Sequence, residues 1–485
     1  MLSRRNLLTF SFPKRQINKS LIDLDLHFLN RVTWGPKPDE VAHLKQVGKG
    51  AYLEEQLHPE RLDDVESEAR LAHLPMLRMT RQALMQLLES GEERMYRTLI
   101  EGMILRAVHS KRQLLERMVD FWTDHFNVPI GEEHYELILY HRDAIRPHAL
   151  GSFHDLLVAT AKHPAMLVYL DNFVNVASHP NENYARELLE LHTLGVDGGY
   201  TEADVKEVAR AFTGWTVHER TRTGFYFSGE EHDTGQKQLL GHTLPAGRGI
   251  EDGLHVLNIL AHHPATAQFL SRKLCTRFVS DQPSQELVNQ TAQVWRESQG
   301  DIKSVLRHIL LSAEFDASVG KKLRRPLDFF VGALRATGTE VYSMDVLEEI
   351  LADLNQVPYS WSPPNGYPDV AGAWISTNGL LARWNVAMRL THSAYSDAQE
   401  TGWGLRSMLH KQWGTTQTVG ELVNHIATQL FGRPLSASEQ QPFLDYASNG
   451  QGGQGAHLPI TAHLLHKKAA SLYGLMLASP LYQWR

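Results

Sequence analysis

Apolar residues recur every three to four positions along almost the whole chain, and this period constrains the fold more than any other feature. It marks amphipathic segments such as 92–126, 134–147, 182–194, 202–213, 265–279, 325–337, 378–396, 404–411 and 460–479. Strand-like alternation is rare. Its clearest case, Gly224-Phe225-Tyr226-Phe227, reads as half of a small hairpin with 237–240. The pattern predicts a mainly α, large multi-helix globular body. Thr201-Glu202-Ala203-Asp204 has the form of a capping box, and Pro264 suits the first turn of a helix. Segment 356–376, with Trp361 and Trp374, is too rich in proline for a helix and reads as an ordered aromatic loop. Stretch 448–456 reads as a flexible connector. The chain divides into an N-terminal segment 1–18, a main helical domain 19–396 and a C-terminal helical region 397–485.

Composition narrows the class. With 42% hydrophobic residues over 485 positions, the chain has enough apolar side chains for a substantial core. A net charge of −7 lacks the basic surplus that nucleic-acid partners require. No apolar run approaches 18 residues, so no transmembrane segment is expected. A single cysteine, Cys275, excludes an intrachain disulfide, and its amphipathic setting suits a buried thiol. The opening Ser3-Arg4-Arg5-Asn6-Leu7-Leu8 has twin-arginine character, but Pro13, Lys14 and Arg15 interrupt the apolar stretch an export signal needs. As written the segment reads as cytoplasmic; Arg4-Arg5 argues for export. The unusual count is 26 His against 48 Lys plus Arg.

Short signatures of common chemistries are missing. Gly450, Gly452 and Gly455 spell a dinucleotide-type glycine pattern, but no strand precedes them. Asp197 to Asp204 imitates the end of a calcium loop, yet Thr193 and Gly195 fall where carboxylates belong.

Three segments do carry chemistry. On the helix 113–126, His125 continues the stripe of Leu114, Met118 and Phe121, so it points inward and needs partners for both nitrogens. In the block 181–195, Asn183, Glu187 and Glu190 share a face, and two carboxylates one turn apart call for a cation, an arginine or a proton between them. His192 lies about 140° from Glu187 at 100° per residue, so a metal site there needs a further ligand, with His125 the natural candidate. In the loop 231–237, His232-Asp233 could orient a proton donor and Lys237 could pair with an anion.

Together these segments resemble the bacterial family called domain of unknown function 1800. The likeness runs from His27-Phe28-Leu29-Asn30-Arg31 through Phe121-Trp122-Thr123-Asp124-His125-Phe126, Pro164 to Asn172, and Asn181 to Gly195. It continues through Ala211-Phe212-Thr213-Gly214-Trp215, His232-Asp233, Arg324-Arg325-Pro326-Leu327 and Arg383-Trp384-Asn385. It implies a large helical bacterial protein, often exported, and a partner resembling the alkaline phosphatase superfamily encoded beside it. It implies no activity. Its motif blocks raise Asp171, Asn172 and Arg186 beside the residues above.

The expectation is an enzyme with a polar pocket in a helical body. His125, Glu187, Glu190, His232 and Asp233 would do the chemistry. His125, Asp171, Glu187, Glu190 and His192 would hold a divalent Zn, Mn, Fe or Mg ion for hydrolysis. Asn127, Asn172, Asn183, Arg186, Lys237, Trp361 and Trp374 would contact substrate. The opposing expectation is a non-catalytic envelope or assembly module whose buried polar residues are structural.

Overall fold

The computed structural model of the chain describes residues 23–87, 92–131, 134–218, 223–339, 343–392, 416–450 and 452–485. The segment 1–18 and the helix expected at 404–411 lie outside them. Helices dominate, and the described strands form two small antiparallel pairs. Strand β1 (Trp215–His218) pairs with β2 (Thr223–Phe227), and β3 (Lys237–Leu239) pairs with β4 (His242–Leu244). The expected hairpin between 224–227 and 237–240 is therefore corrected, since each strand pairs with its nearest neighbour in sequence. The expected connector at 448–456 contains a helical turn, Gly452–Gly455.

The period over 92–126 resolves into two helices, Glu92–His109 and Gln113–His125. Polar side chains make the break. Gln113 donates from Nε2 to the Ala107 carbonyl at 3.1 Å and the Ser110 carbonyl at 2.8 Å, satisfying the end of the first helix. Asp64 accepts from Ser110 Oγ at 2.8 Å and the Lys111 amide at 2.7 Å. The capping box forms as expected, with Thr201 and Asp204 bonding each other's backbone amides at the start of Glu202–Ala211. Pro264 opens the helix Pro264–Phe278.

Two apolar cores organise the molecule. The first gathers side chains from Phe28 to Phe315 together with Tyr359. The second joins Trp34 to helices Pro326–Thr337, Met344–Asp353, Val419–Phe431 and Ala462–Ala478. Glu92–His109 serves both, giving Met95 and Leu99 to the first core and Ile100, Ile104 and Val108 to the second. No helix among the described residues is long and apolar enough to cross a membrane.

Candidate active site

The helix Gln113–His125 carries more than its apolar stripe. Glu116, Asp120 and Asp124 recur at i, i+4 and i+8 and so form a second, acidic face. Pro264–Phe278 presents Phe269, Lys273 and Arg277 at the same spacing, and the two faces meet. Arg277 pairs with Asp120 and, at 3.2 Å, with Asp369. Arg325, just ahead of Pro326–Thr337, pairs with Asp120 and, at 2.6 Å, with Asp124. Asp328 on that helix pairs with Arg117 and, at 2.9 Å, with Arg485. The result is a buried ionic seam joining helices of the two cores. Taking such charges out of water is costly unless they are paired, and here Asp120 meets two guanidinium groups and Asp328 three.

At the end of this seam sits Lys273. Its Nζ donates to His125 Nδ1 at 2.9 Å, and His125 Nε2–H donates to the His192 carbonyl at 3.1 Å. A carbonyl can only accept, so the His192 bond fixes the tautomer of the uncharged ring: Nε2 carries the proton and Nδ1 the lone pair. Both His125 nitrogens are thus occupied, which leaves the ring no free lone pair for a metal. Phe121, Trp122, Phe126 and Phe269 surround the imidazole. The His192 ring lies 6.0 Å from that of His125, and among the described residues its buried Nε2 has no hydrogen-bond partner. Gly195 closes this corner with φ +82°; a Cβ there would stand 2.8 Å from the Phe269 ring.

Burial sets the electrostatics. It lowers Lys273 to about 8, against the pull of the nearby Asp124 and Asp369 carboxylates. Burial raises Asp124 to about 7, and the like charge of Asp120 adds to the rise, while Arg325 opposes it. His192 is pushed down to about 3 by burial and by the charge of Lys273. His125 is held well below its ordinary range by burial first and then by Lys273. Lys273 itself remains partly open to solvent.

The proline- and tryptophan-rich segment packs over this end of the helix. Asn127 donates from Nδ2 to the Trp361 and Pro363 carbonyls at 2.7 and 2.8 Å. The Tyr169 hydroxyl donates to the Ser362 carbonyl at 2.7 Å. Gly366 (φ +67°) lies so close that a Cβ would come within 1.9 Å of the Asp124 carbonyl oxygen. Tyr359 adopts a left-handed φ of 62°, a conformation an aromatic residue takes only where its surroundings impose it. Trp361, Tyr367 and Trp374 follow one another at 5.0 and 5.9 Å between ring centroids. Trp361 is half-buried, whereas Trp374 is buried beside Leu323 and Ala371.

The remaining expected residues fall into separate groups. Glu187 and Glu190 are half-buried, and among the described residues neither carboxylate forms an ion pair or a hydrogen bond. Burial and the charge of Glu190 raise Glu187. Asn183 donates to the exposed Asp171 at 3.3 Å. Arg186 grips Glu202 at 2.7 and 2.8 Å on the surface. Asn172 is buried and donates to the Phe212 and Trp215 carbonyls at 3.3 and 2.9 Å. The π-helical turn Leu188–Thr193 carries both Glu190, half-buried, and His192, buried. His232, Asp233 and Lys237 form another knot. His232 faces the Thr213 carbonyl at 2.8 Å and Asp252 at 3.4 Å; Lys237 reaches Asp252 at 2.7 Å; Asp233 is held by Arg210 at 2.7 and 3.1 Å.

Among the described residues, no group of three or more His, Cys, Asp or Glu side chains is placed to hold a metal ion. Asp120, Asp124, Lys273, Arg277, Arg325 and Asp369 were not anticipated as site residues. The signal for five of them lay in charge spacing: acids at i, i+4 and i+8 on one helix, Lys273 and Arg277 at i, i+4 on another, and Arg325 beside a helix-opening proline. Asp369 offered none. A family model described as protein of unknown function, DUF1800, matches residues 27–484. No curated protein and no solved structure matches the chain.

Proposed function

The chain belongs to the DUF1800 family, and from that premise we propose that it is an enzyme whose acid–base centre is the Lys273–His125–Asp124 group beside the proline- and tryptophan-rich loop. The observation that carries this reading is the amine of Lys273. Among the described residues its one hydrogen-bond acceptor is an imidazole kept uncharged by its own burial, and no carboxylate bonds to it. An ammonium has three protons to place, so this setting favours the neutral amine, which accepts protons or attacks electrophiles. Asp124 lies near it with the opposite tendency, held toward its protonated form. Titratable groups whose proton affinities are shifted toward neutrality suit general acid–base work.

Trace acetylation of the native protein with acetic anhydride, mapped by peptide mass spectrometry at neutral pH, tests this reading. Lys273 is expected to acetylate ahead of the exposed lysines. A Lys273 that reacts only after unfolding contradicts it.

A second reading rests on Glu187 and Glu190, whose unpaired carboxylates one turn apart suit a divalent cation serving hydrolysis. Elemental analysis of untagged protein after incubation with Zn²⁺ or Mn²⁺ distinguishes the two. Stoichiometric metal lost in Glu187→Gln supports the cation; none in the wild type contradicts it.

A further inference from the structure

Four features of the Lys273 corner bear on the class of molecule it would take. The amine projects from a rigid fifteen-residue helix, Pro264–Phe278. Among the described residues its single acceptor is His125 Nδ1, and Nζ lies 5.6 Å from the Phe269 ring centroid. The residue is half-buried, so part of it faces solvent. The Asp124 carboxyl stands within electrostatic reach, itself partly exposed and anchored at 2.6 Å by Arg325. A further unpaired group completes the corner: the buried Nε2 of His192, one ring away from His125.

We propose that Lys273 captures an aldehyde or ketone as an imine, with Asp124 positioned to supply the proton that releases water. The inference rests on the reading of Lys273 as the amine of the active site and adds the substrate class. In the step, the nitrogen lone pair attacks the carbonyl carbon, a C–N bond forms, and the carbonyl oxygen takes the proton that nitrogen releases. The resulting carbinolamine loses its hydroxyl as water when a carboxyl proton reaches the oxygen, and the C–O bond breaks as C=N forms. Nothing is oxidised or reduced; the products are the protonated imine, one water and the Asp124 carboxylate, and the carboxylate regains its proton when the imine nitrogen releases its own. His125 does not enter the bond changes. Its lone pair orients the amine, and its burial keeps a second positive charge away from it.

The probe is 2,4-pentanedione, a diketone that condenses with neutral amines to a stable enaminone, applied to native protein at neutral pH and mapped by peptide mass spectrometry. Acetic anhydride on the same sample reports the amine independently. The expected result is an adduct on Lys273 formed at least tenfold faster than on any exposed lysine, and absent in Lys273→Arg. Asp124→Asn should slow the adduct at least tenfold while acetylation of Lys273 stays unchanged; an unslowed adduct would overturn the role given to Asp124. Acetylation of Lys273 with no diketone adduct overturns the imine while leaving the acid–base reading in place. Neither modification overturns both. Adducts spread evenly over the lysines overturn the assignment to Lys273.

Discussion

Lys273 and His192 are both shifted in proton affinity by burial, and each makes a distinct prediction. Burial holds His192 at about 3 instead of 6.5. Below pH 6.5 the unfolded chain binds a proton there that the folded chain refuses until about pH 3, so stability falls as pH falls through that window. His192→Phe fills similar volume and removes a ring whose Nε2 bonds to nothing. It should fold with stability within about 1 kcal/mol of wild type at pH 7 and lose less stability on acidification, as urea melts at pH 7 and pH 5 would show. Lys273 follows the same sign in a higher pH window. Its folded value of about 8 lies below the ordinary 10.5. Between these values the unfolded chain keeps a proton the folded chain has released, so stability rises with pH across that window. Lys273→Met should abolish that rise in denaturant melts from pH 8 to 10. The carboxylates Asp124 and Asp369 and the rings of His125 and His192 all bear on this group, and none is removed by the change.

Elements show how much of the site could be read in advance. The inward turn of His125 and the ordered character of 356–376 followed from apolar period and proline content, both local properties. What Lys273 touches did not, because His125 and Lys273 are 148 positions apart and no local pattern encodes such a meeting. The apolar stripe of 113–126 also drew attention from the acidic one beside it, although both have helical spacing. For Glu187, Glu190 and His192, the spacing of an ideal helix gave no sign of the π-helical turn Leu188–Thr193 that carries two of them. The loop gives its own prediction. Gly366→Ala would force a Cβ onto the Asp124 carbonyl and strain a left-handed backbone. It should cost at least about 1–2 kcal/mol and raise hydrogen exchange in residues 359–369 more than in Pro264–Phe278.

At the scale of the whole molecule, the ionic seam decides whether two cores behave as one. Asp120 stands on a helix of the first core and pairs with Arg325 at the edge of the second. Asp328 is fully buried among Arg117, Arg325 and Arg485. Asp328→Asn should cost about 3–5 kcal/mol by leaving guanidinium groups uncompensated. Because the seam touches both cores, the loss should appear as one shifted transition by circular dichroism and tryptophan fluorescence alike; two separated transitions would show independent cores. Buried histidines add a collective acid sensitivity, since His27, His163 and His192 are each held at about 3. The large histidine count thus includes several neutral core residues that oppose folding once pH drops below 6.5. The central claim is that this seam ends in a lysine amine that gives up its proton near pH 8, well below the ordinary lysine range. Its most direct measurement is an NMR titration of ¹³Cε-labelled lysine, with Lys273 assigned by its loss in Lys273→Arg. The account predicts a single resonance titrating near pH 8; a Lys273 that titrates at 10 or above, with the other lysines, would contradict it.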